Sequence, residues 1–169
     1  MEGYVHIGKI VAVFGIHGEV LLQHKLGPIS WEQIDAVFIE EKKGSLLPYF
    51  IESRRQKSDA EIYLHLENVA VREQALRLLR RPVFMTEKDF QKNVHPSAPL
   101  ALLGFTVVDR QKGTLGPLEE VIEAPGQLLI RLDYHGKEVL IPLHEQILEK
   151  IDRKHKTIHV ALPEGLLEI

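Results

Sequence analysis

The chain has 169 residues, 44% of them hydrophobic and 27% charged, which is the balance of a folded protein and excludes a disordered tail or a fibre. No apolar run approaches the ~20 residues that span a bilayer, and Met1-Glu2-Gly3-Tyr4 lacks the basic-then-apolar order of a secretory signal, so neither a membrane protein nor an exported one is expected. There are no cysteines, which removes disulfides, thiolate metal sites and cysteine nucleophiles together and suits a cytoplasmic protein, and the net charge of −3 is wrong for a general nucleic-acid binder.

Period-two alternation recurs along the chain and helical periodicity is scarce. Val5 to Val13 reads as a strand, with Val5, Ile7, Val11 and Val13 able to share one face. Gly15-Ile16-His17-Gly18 then predicts a reversal that needs positive φ. Glu19–Lys25 returns as a second strand. Ser30 can cap a short helical turn through Trp31–Ile34. Ala36–Glu40 is a third strand, and Lys42-Lys43-Gly44-Ser45 is a turn. Leu47–Glu52 is a fourth, with Pro48 near its start or on an edge. Glu61–Glu67 is a fifth, with Ile62, Leu64 and Leu66 inward and Glu61, His65 and Glu67 outward. Val71, Ala75, Leu78 and Leu79 predict one helix over Val71–Arg80, with Arg77, Arg80 and Arg81 at its C-terminal end, where the dipole favours cations. Pro82 stops it, and Val83-Phe84-Met85 is a sixth strand.

Glu87–Pro99 is polar and without periodicity, and it ends in His95-Pro96-Ser97-Ala98-Pro99. It reads as an extended linker. The boundaries this implies are a first domain over 1–88, a linker over 89–100 and a second domain over 101–169. Strands follow at Leu103–Asp109 and Leu115–Glu123 around a Lys112-Gly113 turn. After Pro125-Gly126 comes Leu128–Tyr134, with Ile130, Leu132 and Tyr134 on one face. His135-Gly136 joins it to Lys137–Ile141 as a tight hairpin. Pro142–Gln146 is a loop or single helical turn. Ile147–Asp152 and Thr157–Leu162 flank Arg153-Lys154-His155-Lys156. The apolar end Leu166-Leu167-Glu168-Ile169 is expected to pack down. The fold class is therefore all-β, two small barrels joined by a short linker, with one short helix in the first. Closure removes edges that invite aggregation.

The chemistry-bearing residues do not assemble into a catalytic motif. The nine histidines show no ligand spacing, and their expected roles are surface or structural. The Gly15–Gly18 turn joins two strands and lacks the helix N-terminus of a phosphate loop. No Gly-x-Ser-x-Gly elbow exists. Glu40-Glu41 and Glu119-Glu120 are adjacent on strands, so each pair points to opposite faces. No cofactor, no metal and no small-molecule substrate are expected. Charge is uneven. Residues 1–95 carry 13 Lys+Arg and 13 Asp+Glu, and residues 96–169 carry 8 and 11. The second half is a poor grip for phosphates and a reasonable match for a basic protein. Two basic clusters, Arg54-Arg55-Gln56-Lys57 with Arg80-Arg81, and Arg153-Lys154-His155-Lys156, are candidates for local contact with RNA phosphates. Solvated turns and a helix end are the plainer alternative. Neither cluster has the interleaved aromatics of a base-stacking platform.

Two blocks resemble a known family, the bacterial ribosome maturation factor RimM. Ile7-Gly8-Lys9-Ile10-Val11-Ala12-Val13-Phe14-Gly15-Ile16-His17-Gly18-Glu19-Val20 is similar to its opening strand, glycine-bracketed turn and Gly-Glu-Val second strand. Leu103-Gly104-Phe105-Thr106-Val107-Val108, Leu115-Gly116, Glu119-Glu120-Val121, Leu140-Ile141-Pro142 and Leu162-Pro163-Glu164-Gly165-Leu166-Leu167 resemble its PRC-barrel. The resemblance implies a translation-factor-like barrel followed by a PRC-barrel. It also implies a non-enzymatic, cytoplasmic factor that binds the immature 30S subunit, involves small-subunit ribosomal protein nineteen and supports 16S rRNA processing. A monomer is expected. A PRC-barrel adaptor unrelated to ribosomes is the alternative. Two departures stand out. The Tyr-Tyr pair that many relatives carry before the second barrel falls here at Ser97-Ala98, and Arg80 stands where a glycine usually ends the helical region. The apolar entrance Leu100, Leu102, Leu103 and Phe105 is the candidate partner-binding segment, with plain barrel core as the alternative. Arg54, Arg55, Lys57, Arg80 and Arg81 are the candidate rRNA contacts. Gly15, Gly18, Gly104, Gly116 and Gly136 are read as structural turn residues.

Overall fold

Alternation in the first half produces six strands: β1 (Tyr4–Phe14), β2 (Glu19–His24), β3 (Ala36–Lys42), β4 (Ser45–Gln56), β5 (Glu61–Leu66) and β6 (Pro82–Thr86). The computed structural model, which describes residues 2–168, closes them into a barrel of order β1-β2-β5-β4-β3-β6. The second half forms β7 (Thr106–Asp109), β8 (Gly113–Pro117), β9 (Glu120–Ala124), β10 (Gln127–Tyr134), β11 (Lys137–Pro142), β12 (Leu148–Asp152) and β13 (Thr157–Val160). These lie in a three-stranded sheet, β11-β10-β9, and a four-stranded sheet, β12-β13-β7-β8. The chain divides into two compact units between Ala101 and Leu102. The protein is all-β, with two barrel-type units.

The first barrel is filled by Ile7, Ile10, Val20, Leu22, Val37, Ile39, Leu64, Val83 and Met85, all fully buried. Each such side chain contributes roughly 1.5–3 kcal/mol of burial free energy. On β5, Ile62, Leu64 and Leu66 point inward as the alternation predicts. On β1 the expected face of Val5, Ile7, Val11 and Val13 is buried only at Ile7, and beyond it Ile10, not Val11 or Val13, fills the core. The cause is a pair of register shifts, at His6/Gly8 against β6 and at Ile10/Ala12 against β2. A single extra residue exchanges inward and outward positions. Pro48 lies opposite Phe38, in the part of β4 that precedes its pairing with β5.

The predicted helix over Val71–Arg80 is shorter than its periodicity suggests. The α-helix α1 covers Arg72–Leu76, its start held by the Gln74 side chain, which accepts from the N–H groups of Ala70 and Val71. Beyond it, the N–H groups of Leu78, Leu79 and Arg81 bond to carbonyls three residues back, a tighter 3₁₀-type winding. Ala75 and Leu78 are buried, and Val71 is exposed. The chain then reverses at Arg80, whose φ is +69° and whose N–H donates to the Ile10 carbonyl at 2.7 Å. The turn usually made by glycine is thus retained with an arginine in the left-handed region, at a cost of roughly 1–2 kcal/mol.

The linker expectation is corrected at its start. Residues Glu87–Asn93 form a second helix, α2, capped by Thr86 Oγ1, which accepts from the Asp89 N–H at 3.1 Å. Phe90 anchors it and is 2% exposed. One apolar anchor in seven residues gives no periodic signal, so composition alone reads as linker. The first unit therefore has two α-helices, where one was expected. A 3₁₀ turn follows at Pro99–Leu102.

Three expectations change in the second unit. The strand expected from Leu103 begins at Thr106, after the 3₁₀ turn. The strand expected over Leu115–Glu123 is two strands, β8 and β9, broken after Pro117. Gly116 is inside β8, with φ +134° beside the register shift between Val107 and Val108, so it serves a bulge and not a turn. The β10–β11 hairpin is closed by His135 and Gly136, both left-handed, as a two-residue turn of this type requires. Leu102, Phe105, Val107, Leu118, Ile130, Leu132, Ile141 and Ile158 form the core, and Leu166 and Leu167 pack against it.

The turns make a paired prediction. Gly18 has φ +71°, and a Cβ there would lie 2.6 Å from the Val71 carbonyl oxygen. Gly18→Ala should destabilise the first unit by roughly 2 kcal/mol or more. Arg80→Gly should stabilise it by roughly 0.5–1 kcal/mol, the strain relieved less the added backbone entropy of glycine. Denaturant unfolding followed by the fluorescence of Trp31, the single tryptophan and a buried residue of this unit, measures both. Changes of the same sign for the two variants would contradict the assignment.

Candidate functional site

The apolar segment before β7 is core and not entrance. Leu100, Leu102 and Phe105 are 6%, 3% and 7% exposed. Leu102 and Phe105 belong to the core of the second unit, and Leu103 is partly buried against it. The local backbone explains this. Gly104 has φ +82°, its N–H donates to the Leu118 carbonyl, and Leu118 N–H donates back to Phe105. The turn folds Leu102 and Phe105 into the core of the second unit. Ala98, at the place of the missing tyrosine pair, is 6% exposed, and Ser97 Oγ bonds His95 Nδ1 at 2.7 Å.

The basic residues of the first barrel are not one patch. Arg54 donates through Nη1 to the carbonyls of Trp31 and Ile34, clasping the Ser30–Ile34 turn. Arg55 lies over the Tyr63 ring at 4.1 Å and faces Glu19 at 3.5 Å. Lys57 faces Glu61 at 3.9 Å. Arg80 and Arg81 are exposed but sit on the far side of three strands. From Arg81 the register runs through Ile10, Leu22 and Ile62 to Gln56. That is four strand steps of about 4.8 Å along the sheet. In the second unit, the Arg153–Lys156 turn is held by Asp152, which accepts from the His155 N–H at 3.0 Å and bonds its ring at 2.8 Å.

Two groups singled out by burial have structural tasks. His24 is 4% exposed, accepts from the Leu26 N–H through Nδ1 and meets the Trp31 ring edge-on at 5.1 Å. Burial pushes its imidazole down to about 4. Asp109 is also 4% exposed. Its carboxylate accepts from the N–H groups of Gln111, Lys112 and Leu162 at 2.9–3.0 Å, joining the β7–β8 turn to the C-terminal segment. Burial opposes ionisation, yet these backbone donors outweigh it and hold the carboxyl below its ordinary value of 3.8. A groove of about 200 Å³ beside it is lined by Gln111, Lys112, Pro163 and Leu167. A carboxylate so committed is a poor acid or base. Among the described residues, no group of three or more His, Asp or Glu is placed to hold a metal.

The unexpected surfaces are apolar. On the first barrel, His6, Phe84, Phe38 and Pro48 are cross-strand neighbours over β1, β6, β3 and β4. His6 meets Phe84 at 5.1 Å, and Tyr4 meets Phe38 at 4.9 Å. Phe50 beside them is 52% exposed, and Ile16, at the tip of the β1–β2 turn, is 77% exposed. On the second unit, Leu140 is 43% exposed in β11. None of these carries a periodicity signal, because an outward apolar residue in a strand reads like an inward one.

A closed six-stranded barrel followed by a seven-stranded two-sheet unit defines a protein of two β-domains. Residues 5–90 match the RimM N-terminal domain and residues 100–166 the RimM PRC barrel domain. The chain belongs to the RimM family. It is 32% identical over 170 residues to the ribosome maturation factor RimM of Parabacteroides distasonis, covering 99% of this chain and 98% of the relative. To that of Oleidesulfovibrio alaskensis it is 33% identical over 174 residues, covering 100% and 97%. The crystal structure of a proposed 16S ribosomal RNA processing protein RimM from Pseudomonas aeruginosa aligns over 95% of this chain and 98% of its own, with TM-score 0.45 and 21% identity.

The two buried ionisable groups predict separate pH windows. Between the ordinary 6.5 and about 4, the unfolded chain binds a proton at His24 that the folded chain does not. Stability is therefore complete above pH 6.5 and falls as pH drops through that window, by roughly 3 kcal/mol at full extent. His24→Asn, which keeps an acceptor near the Leu26 N–H, should remove that slope. Asp109 acts lower, because its contribution is present above pH 3.8 and lost on further acidification. Asp109→Asn should cost roughly 2–4 kcal/mol at pH 7. Denaturant titrations at fixed pH measure both, and a slope that survives His24→Asn would refute the first.

Proposed function

We propose that this protein is a ribosome assembly factor that binds the maturing 30S subunit and supports 16S rRNA processing. The observation that carries this reading is the match of both family domains, in order, over most of one chain, together with full-length relatives named ribosome maturation factor. The action is binding and not catalysis. A factor that holds the native-like arrangement of the subunit more tightly than misfolded ones shifts the population toward it. A preference of about 1.4 kcal/mol changes that ratio tenfold. Small-subunit ribosomal protein nineteen of the 30S head is the proposed protein partner, and the cytoplasm is the proposed location. The N-terminal barrel supplies the contacts near rRNA. Arg80 and Arg81 are the better candidates there, because Arg54 is committed to two backbone carbonyls. In the second unit Leu103 is the remaining candidate of its segment, since Leu100, Leu102 and Phe105 are buried.

Sucrose-gradient sedimentation tests this directly. The protein should co-migrate with 30S material, and cells lacking it should accumulate untrimmed 16S rRNA and fewer mature 30S subunits. A protein that stays at the top of the gradient, in a background where deletion leaves 16S rRNA fully trimmed, would overturn the reading in favour of an adaptor unrelated to ribosomes.

A further inference from the structure

The three-stranded sheet of the second unit has two faces of opposite character. Its inner face carries Val121, Ile130 and Ile141 in one cross-strand row and Leu132 with Val139 in the next, all buried. Strand alternation sends the intervening residues outward. Register then orders that outer face. Ile122, Leu129 and Pro142 form one row, Glu120, Arg131 and Leu140 the next, and Asp133 with Glu138 the last. The first row is apolar and only partly covered by the chain's own atoms, and Leu140 continues it at 43% exposure.

The rim beside that apolar surface is overloaded with carboxylates. Arg131 donates through Nε to Glu120 at 2.8 Å and through Nη1 to Glu119 at 3.0 Å, and Glu138 lies 4.0 Å from it. Glu119 precedes β9, so it joins Glu120 on one guanidinium and does not point to the opposite face as strand alternation predicts. Asp133 turns to its own hairpin and accepts from the Gly136 N–H. Three carboxylates thus share one guanidinium and Asp133 adds a fourth negative charge, leaving this face with a local charge of about −3. Phosphates would be repelled by it, and a second copy of the chain would bring the same negative charge to the contact.

We infer that the outer face of β9-β10-β11, with Ile122, Leu129, Leu140 and Pro142 as its apolar floor and Glu119, Glu120 and Glu138 as its rim, docks a lysine- or arginine-rich protein segment. The inference rests on the proposed role in 30S maturation, where a positively charged ribosomal protein is the partner chemistry. The aliphatic rows supply the desolvated centre of the contact, and the rim supplies steering and register. The first barrel's Arg80 and Arg81 then have a different task from this acidic face, which fits the uneven charge of the two halves.

The test measures binding of the full-length chain to immature 30S particles, to purified small-subunit ribosomal protein nineteen and to protein-free 16S rRNA. Two variants are compared with the native chain: Leu140→Ser, and the double charge reversal Glu120→Lys with Glu138→Lys. Leu140 is solvent-facing, so its variant keeps the fold should the double reversal lose it, and melting curves establish this. Leu140→Ser should weaken binding to the particles and the protein by about tenfold with little dependence on salt. The charge reversal should weaken both by about tenfold or more at low salt, with the difference shrinking as salt rises. Neither variant should weaken binding to bare rRNA. If the native chain binds the particles and both folded variants bind the particles and the protein as tightly as it does, the docking face is wrong and the assembly role stands. If the charge reversal weakens binding to bare rRNA, the face is an RNA site and the inference is overturned. If the native chain itself ignores the particles, the assembly role is what fails.

Discussion

Everything in the first unit depends on β6 pairing with two strands at once. Residues Tyr4–Lys9 of β1 bond to one of its edges, and Phe38 and Ile39 of β3 lie along the other. Without β6, β1 and β3 would both present unpaired backbone groups to water or to another chain. The return of the chain to that position is set by a few residues. Ile10 carbonyl accepts from Arg80, Ile10 N–H donates to Arg81, and Pro82 opens the strand. Val83 and Met85 then complete a core that already holds Ile7, Ile10 and Ile39. The strain at Arg80 is small beside the burial it permits.

The second unit has a comparable fastening of a different kind. Its hydrogen-bonded ladders stop at two sheets, and Asp109 joins the end of β7 to the C-terminal segment through three backbone donors. A charge is tolerated at 4% exposure because every donor aimed at it is fixed in the backbone. His24 in the first unit takes the other course and stays neutral, since one N–H donor and an edge-on indole do not compensate a buried cation.

Which side chains remain available at the surface is decided by the partners the fold gives them. Arginines illustrate the point. Arg54 is consumed by the Trp31 and Ile34 carbonyls and Arg131 by carboxylates, while Arg80 and Arg81 remain exposed. Counting basic residues along the chain would weight all four equally. The same holds for apolar residues. Leu102 and Phe105 are interior, and Leu140, only one residue from the buried Ile141, is not.

The sequence by itself determined the all-β class, most of the strands, the Gly15–Gly18 and His135–Gly136 reversals, the inward set of β5 and the packed-down end at Leu166 and Leu167. These follow from alternation and from residues that tolerate positive φ, which are local properties. The family blocks were legible for the same reason, as short motifs in a fixed order. Tertiary structure alone decided the rest. Bulges in β1 exchanged Val11 for Ile10 in the core, because a register shift is a relation between two strands and leaves no mark within one. Helix α2 exists because Phe90 finds a buried site that its neighbours in sequence do not reveal. Leu102 and Phe105 became core, and Leu140 stayed exposed on the outer face of β9-β10-β11, because alternation says which residues share a face but not which face the rest of the chain covers.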